Sequence, residues 1–213
     1  MSFPRYPKYK DSGVEWLGEV PEHWHHVRVK NLFEIGRGRV ISLENASEHG
    51  TYPVFSSQTT NNGCLGYIET FDFDCDQLTW TTDGANAGTV FLRRGKHNCT
   101  NVCGTLQIKN AAEFNLTFGL HYLSFAAQFY KRPDTNGAKI MNGEMAEIVT
   151  LVPPSTEQTR IVGTIPTRGR QTRSGTFRRV AGRFRNGRTC GSLAVRRGRF
   201  WTSAPCLSLA VQP

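Results

Sequence analysis

Five short runs of alternating apolar and polar residues constrain the fold most strongly. They are Tyr52–Phe55, Leu65–Ile68, Leu78–Thr81, Thr89–Leu92 and Val102–Ile108. A period of two is typical of strands with one buried face, and the clusters of Gly, Asn, Asp, Ser and Thr between the runs are typical of loops. The stretch therefore predicts a half-buried β-sheet with polar connections.

The loops of this sheet carry most of the side chains that can bind a ligand. Asn and Gln can each make two hydrogen bonds to adenine, Asp can accept one from cytosine, and Arg and Lys hold phosphates. We predict base-edge contacts for Gln58, Asn61, Asn62, Thr82, Asp83 and Asn86. We predict phosphate contacts for Arg93, Arg94, Lys96, Lys131, Arg132 and Lys139. For any one of these charges, a solvated surface side chain is an equal alternative.

The net charge of +9 is distributed unevenly along the 213 residues. Residues 166–213 contain eleven Arg, no Lys and no acidic residue, whereas residues 1–165 carry a net charge of −2. A basic chain is expected to bind nucleic acid or a membrane surface, but here the whole basic balance belongs to the tail. The Gly- and Arg-rich composition of that tail, with few large apolar residues, predicts disorder.

Cysteine usage and hydropathy suggest a cytoplasmic protein. Cys99 and Cys103 have the spacing of half a metal site, but no second Cys or His pair stands at zinc spacing, so free thiols are expected. The chain opens without a signal-peptide pattern, and no apolar run approaches the ~18 residues that a membrane-spanning helix needs.

The remaining sequence predicts further elements around the sheet. Val27–Ile35 alternates like a strand, Glu113–Tyr130 has aromatic residues near a helical period, and Ala146–Val152 indicates another strand. Ser155 followed by Gln158 predicts a capping box that starts a helix, which Pro166 ends.

Trp16 and Trp24 are predicted to pin an irregular N-terminal strap onto the body, because each indole buries a large area. We expect His23, His25 and His26 in and beside this strap to be solvated. The predicted organisation is a strap (1–26), a globular α/β domain with a twisted sheet and packed helices (27–154), a short helix start (155–165) and an Arg-rich tail (166–213).

Three segments resemble the specificity subunits of type I restriction-modification systems. They are Lys10–Trp24, the loop-rich block Tyr52–Leu106 with its typical Thr82–Phe91 stretch, and Val152–Gln158. The resemblance covers roughly residues 8–165, most of one half of such a subunit. It implies a target recognition domain that reads one half of a split DNA site. In the family, a long spacer helix follows and packs on its twin from a second half.

The resemblance also implies partners and cofactors. Double-stranded DNA, a modification (methyltransferase) subunit, a restriction subunit and a second specificity half are the expected partners. S-adenosylmethionine, ATP and Mg would belong to the partner subunits, and no cofactor is expected on this chain. The opening motif occurs once and the helix is expected to break at Pro166, so we expect a truncated half whose tail has the composition of an out-of-frame or replaced C-terminus.

Catalytic motifs do not fit the sequence. No Asp/Glu-x-Lys follows Pro133-Asp134, as a restriction-type nuclease requires, and Val152 stands before Pro153-Pro154 where an amino-methyltransferase has Asn, Asp or Ser. P-loop, Gly-x-Ser-x-Gly and zinc signatures are absent from the sequence as well. We therefore predict a non-catalytic reader. Two alternatives stay open: a module whose Arg-rich tail binds nucleic acid without sequence preference, and a truncated, non-functional relic.

Overall fold

The computed structural model describes residues 5–42, 50–135 and 137–165. Fifteen strands and four α-helices lie within these residues, which confirms the predicted mixed α/β class. The first seven strands are β1 (Tyr9–Asp11), β2 (Glu19–Pro21), β3 (His25–Arg28), β4 (Phe33–Arg37), β5 (Tyr52–Phe55), β6 (Cys64–Ile68) and β7 (Phe73–Asp74). The others are β8 (Gln77–Thr81), β9 (Asp83–Gly84), β10 (Val90–Arg93), β11 (Lys96–Cys99), β12 (Cys103–Ile108), β13 (Arg132–Asp134), β14 (Gly137–Lys139) and β15 (Val149–Val152). The helices are α1 (Val29–Leu32), α2 (Leu116–Ala126), α3 (Asn142–Glu147) and α4 (Ser155–Thr164).

The core is built on an antiparallel sheet with the strand order β10-β8-β12-β4. All five residues of β8 are buried, so the central strand contributes both of its faces to the interior. The Trp80 ring lies against Gly104 of β12, where a Cβ atom would come within 2.3 Å of the indole. The indole nitrogen of Trp80 donates a hydrogen bond of 2.9 Å to the carbonyl of Ile140. Helix α2 contributes buried residues such as Leu123 to the same hydrophobic cluster.

A second sheet has the order β6-β5-β11-β7, in which β5 and β11 run parallel. Its interior is partly polar. His97 of β11 is fully buried, stacks on Phe73, and makes hydrogen bonds of 2.7 Å to Gln77 and to the carbonyl of Gly95. The bond to Gly95 places a proton on Nδ1, since Nδ1 faces a carbonyl that can only accept. Burial lowers the pKa of His97, and the bond to Gly95 opposes that shift.

The N-terminal strap is pinned by its two tryptophans, as the sequence predicts. Trp24 is buried, and Trp16 stacks on Phe129 with ring centroids 4.7 Å apart. The indole of Trp24 also donates a 3.0 Å hydrogen bond to Glu157 in the first turn of α4. His23 is exposed, as predicted, and its ring also lies 2.8 Å from the same carboxylate.

Beyond the strap, β3 pairs antiparallel with β15 and joins the two ends of the described chain. Tyr122 of α2 donates a 2.9 Å hydrogen bond to the carbonyl of Val149 and ties the helix to this pair.

Two sequence predictions are wrong in detail. The segment Val27–Ile35 is not one strand, because α1 forms a helical turn between β3 and β4. The first residues of Ala146–Val152 end helix α3, and only Val149–Val152 is a strand. The strand and helix signals of the sheet block, of α2 and of α4 are confirmed.

The predicted capping box is also wrong. Pro154 occupies the N-cap position of α4 and makes no side-chain cap bond. The Gln158 side chain instead accepts from the backbone N–H of Asn115 at 2.7 Å and donates to the carbonyls of Glu113 and Pro153. The predictions for the 166–213 tail and for the Asn136 end of the 136–139 turn lie outside the described residues.

Candidate nucleic-acid interface

The connection between β5 and β6 presents two exposed asparagines on an unusual turn. Asn61 and Asn62 have φ values of 48° and 52°, and Gly63 follows with 78°. Left-handed backbone is unfavourable for most L-residues, but Asn tolerates it and Gly adopts it freely. The Gln58 amide supports the turn by donating a 2.5 Å hydrogen bond to the carbonyl of Cys64. Asn61 and Asn62 are thus exposed, whereas Gln58 is half-buried and engaged with the backbone.

The second polar loop follows β8. Asn86 is exposed and Asp83 is half-buried, and neither side chain forms an ion pair within the described residues. Thr82 differs from them because it is buried, and its hydroxyl donates a 3.0 Å hydrogen bond to the carbonyl of Val102. Its place in the interior does not match the predicted base-edge contact.

The two loops meet at their polar faces. The Asn86 amide lies 3.4 Å from the hydroxyl of Thr59, so residues of the β5–β6 turn and of the loop after β8 form one surface. The sequence prediction missed Thr59, although it belongs to the same polar Thr-Thr-Asn-Asn run as Asn61 and Asn62. We call the surface formed by Thr59, Asn61, Asn62, Asp83 and Asn86 the amide surface.

Three of the predicted basic residues lie beside the amide surface. Lys139 of β14 is the register partner of Asp83, and the Lys131 side chain packs close to Gly88 in the loop after β8. Lys139 pairs with Asp134 at 3.4 Å and Arg132 with Glu144 at 2.8 Å. Lys131 has no acidic partner among the described residues, and burial lowers its pKa. Lys131 therefore offers the least neutralised charge of the three.

Two other basic residues follow β10 in the chain, where β11 begins. Arg94 pairs with Asp76 at 2.8 Å, and Lys96 lies 4.0 Å from Asp74 and over the ring of Phe71. Their charges are balanced by neighbouring carboxylates. The structure does not bring these two residues together with the other candidates.

Arg93 is the largest departure from the sequence prediction. It is only 1% exposed and lies where the two sheets meet, between the rings of Phe55 and Phe91. A guanidinium enclosed in this way cannot reach a phosphate at the surface. The prediction of a phosphate contact is therefore wrong for Arg93, whose charged group is enclosed within the protein.

The described residues hold no group of three or more His, Cys, Asp and Glu side chains that could bind a metal ion. Cys64, Cys75, Cys99 and Cys103 are free thiols, whereas Cys190 and Cys206 lie outside the described residues. Among the helices of the described part, none combines the length and the apolar character that crossing a bilayer requires.

With this geometry in view, the family of the chain is clear. Residues 21–173 match the type I restriction modification DNA specificity domain, and the chain belongs to this family. The match includes both four-stranded sheets, the amide surface and α4.

Similar proteins occur in Mycoplasma pneumoniae. One, named as the N-terminus of a type I specificity subunit, is 41% identical over 126 residues, which cover 57% of this chain and 65% of the relative. The specificity subunit of the type I restriction enzyme MpnII is 38% identical over 135 residues, covering 63% of this chain and 40% of that protein. The chain thus spans about two fifths to two thirds of the length of these two relatives.

Solved structures share the fold. The S subunit of a type I restriction-modification system from M. genitalium superposes with a TM-score of 0.56 at 20% identity, over 67% of this chain and 38% of that one. The HsdS subunit from Thermoanaerobacter tengcongensis gives 0.53 at 15% identity, over 73% and 38%. At this identity the likeness concerns the fold of the recognition half.

Proposed function

We propose that this chain is a non-catalytic, sequence-specific DNA reader that recognises one half of a bipartite target for a type I restriction-modification system. The observation that carries the proposal is the amide surface, in which two adjoining loops of a specificity-family fold present the exposed side chains of Asn61, Asn62 and Asn86. Asn61 and Asn86 make only long hydrogen bonds of 3.4 Å to the protein, and the Asn62 side chain makes none within the described residues, so the three exposed amides are available to a ligand. Exposed neutral amides can read base edges, whereas structural amides are buried and paired.

The chemistry of the amide surface favours particular bases. Each Asn can bind the N6 and N7 positions of adenine with two hydrogen bonds, and Asp83 can accept from the amino group of cytosine. A good pair of this kind discriminates against the wrong base by ~1–3 kcal/mol. Lys131, Arg132 and Lys139 beside the surface would hold the phosphates that fix the register of the duplex.

The family also gives the proposed assembly. A modification subunit and a restriction subunit would supply the S-adenosylmethionine, ATP and Mg chemistry, and a second specificity half would read the other half-site. Helix α4 leaves the domain where a spacer helix would start. Such an assembly works where chromosomal DNA is, so we propose a cytoplasmic location.

Selection from a randomised duplex pool at physiological salt tests the proposal with the full chain. We expect enrichment of a short motif, and we expect the N61A/N62A/N86A variant to lose it. A matched variant with the eleven tail arginines replaced by serine should keep the motif. Binding without enrichment that falls steeply with salt and disappears in the tail variant would instead identify tail-driven, non-specific association.

A further inference from the structure

We infer that Arg93 is a positioning residue, which holds the Asn61–Asn62 turn in its reading conformation from inside the protein. The effect of Arg93 on DNA recognition rests on the proposed function. We call the hold of Arg93 on the turn the clamp. The clamp is a property of the fold, and its effect on the turn can be measured without DNA.

The environment of Arg93 is unusual for a charged side chain. The guanidinium carbon lies 3.6 Å from the centre of the Phe55 ring and 4.3 Å from that of Phe91. No carboxylate lies within salt-bridge distance among the described residues, so two aromatic faces replace an acidic partner. Burial lowers the pKa of Arg93 to about 10, which the nearby Cys103, Cys99 and Cys64 thiols oppose.

A buried cation without a counterion is costly, so its retention calls for a specific role. Two hydrogen bonds define that role. Nε donates to the hydroxyl of Thr79 on the central strand β8 at 3.1 Å, and Nη1 donates to the carbonyl of Asn62 at 2.6 Å. The side chain therefore connects the most buried strand of the core directly to the surface turn.

The turn needs such a clamp because three successive residues have left-handed backbone. Two of them, Asn61 and Asn62, carry the strain that a side chain brings to this region. Arg93 donates its hydrogen bond to the Asn62 carbonyl, and the Asn62 side chain remains exposed to solvent. The turn is thus fixed through its backbone while its amides stay available.

Close packing makes the clamp specific. A Cβ atom on Gly63 would come within 2.8 Å of Nη2 of Arg93, so the glycine allows both the positive φ and the approach of the guanidinium. Two backbone amide protons form hydrogen bonds across the turn, so their exchange rates report on its conformation. The N–H of Ser56 bonds to the carbonyl of Gly63 at 2.9 Å, and the N–H of Cys64 bonds to that of Asn61.

Amide hydrogen exchange of the full-length R93M variant tests the clamp. We expect Ser56 and Cys64 to exchange roughly tenfold faster or more, because a hydrogen bond from a charged donor is lost. The amide of Leu78 in the core should change far less, which separates release of the turn from general destabilisation. The R28M variant is the matched control, since Arg28 is an exposed arginine paired with Glu147.

The T79V variant covers the case in which R93M does not fold. It removes only the hydroxyl that anchors Nε, and we expect a several-fold acceleration at Ser56 and Cys64. The R93K variant keeps the charge without the planar fork, and it should behave more like R93M than like the wild type. Unchanged exchange at both amides in folded R93M, or in T79V if R93M does not fold, would overturn the inference.

The DNA arm uses selection from a randomised duplex pool with the same variants. Where the wild type enriches a motif, R93M should lose preference at some positions of the motif and keep the salt dependence of its overall binding. Retention of the full motif in a folded R93M would also overturn the inference. Absence of any motif in the wild type would refute the proposed function, and the exchange measurement would still decide the clamp.

Discussion

The junction around helix α4 and the amide surface are built from the same kinds of polar side chain, and they use them in opposite ways. At the junction, Glu157 accepts hydrogen bonds from Tyr6 at 2.8 Å and from Trp24 at 3.0 Å. Gln158 beside it is fully buried, and both of its polar atoms are bonded to backbone groups. Glu157 and Gln158, the two motif side chains that face this junction, thus use their polar atoms within the protein.

On the amide surface, the side chains of Asn62 and Asp83 make no hydrogen bond within the described residues. Asn61 and Asn86 make only long bonds of 3.4 Å. The difference shows how a fold separates structural polar groups from those left for a ligand. A satisfied amide stabilises the fold, and an unsatisfied, exposed amide costs nothing in water and remains available.

The largest expected effect is on stability at the junction. The Q158A variant leaves the N–H of Asn115 and the carbonyls of Glu113 and Pro153 without their partner, so the free energy of unfolding should fall by about 3 kcal/mol. Urea unfolding of the full chain measures this change. The exposed Gln128 gives the control, because Q128A should stay within about 0.5 kcal/mol of the wild type. If Q158A were as stable as the wild type, the polar groups of the junction would not differ from those of the amide surface in their contribution to stability.

The N86A variant should show the reverse behaviour. Its free energy of unfolding should stay within about 0.5 kcal/mol of the wild type, because the amide makes only a long bond to Thr59. Its affinity for the selected DNA motif should fall by roughly tenfold or more through loss of a bidentate base contact. Titration of labelled duplexes at physiological salt measures the affinity, and an unchanged affinity would exclude Asn86 from the reading surface.

A smaller stability effect is expected for E157Q. Burial raises the pKa of Glu157, but the bonds from His23, Tyr6 and Trp24 outweigh it and lower the pKa below the ordinary 4.5. The ionised form therefore stabilises the fold above pH 4.5, and this contribution is lost as the pH falls through the lowered value. At neutral pH, E157Q should cost about 1 kcal/mol. Its stability should depend less on pH than the wild type does in the acid range, which unfolding curves at several pH values would show.

The smallest effect is expected from His97. Burial lowers its pKa below 6.5, so the unfolded chain takes up a proton that the folded chain does not as the pH falls below 6.5. Stability should therefore decrease in that range by less than ~1.4 kcal/mol per pH unit. H97Q should reduce this dependence. If the free energy of unfolding of H97Q and of the wild type depended on pH in the same way, His97 would not be the source of this pH dependence.

The sequence predicted what local patterns determine. Alternation located the strands of the sheet block because each has a buried face, and the clusters of Gly, Asn, Asp, Ser and Thr located the loops between them. Alternation also misled, since Val27–Ile35 keeps its pattern across the single helical turn of α1. The positions of Asn61, Asn62 and Asn86 as exposed residues agree with the prediction, although their contacts with DNA stay a prediction.

The features that the sequence did not reveal depend on partners distant along the chain. Arg93 reads as a surface cation beside Arg94 until the fold places Phe55 and the Asn62 carbonyl around it. Gln158 reads as a capping residue until it meets Asn115, which lies 43 residues earlier. Tertiary contacts of this kind override local propensity, and no local pattern distinguishes them.

The pairing of β3 with β15 has a consequence for synthesis on the ribosome. Residues 25–28 pair with residues 149–152, so this strand pair cannot form until nearly the whole described chain has emerged from the ribosome. Contacts so far apart in sequence carry a large loop-closure entropy and form late. Until then, the edge of the early strand remains open to other chains. We expect the last step of folding to follow release of Val152 from the exit tunnel, and a nascent chain stalled before that residue to be protease-sensitive at its N-terminal strap.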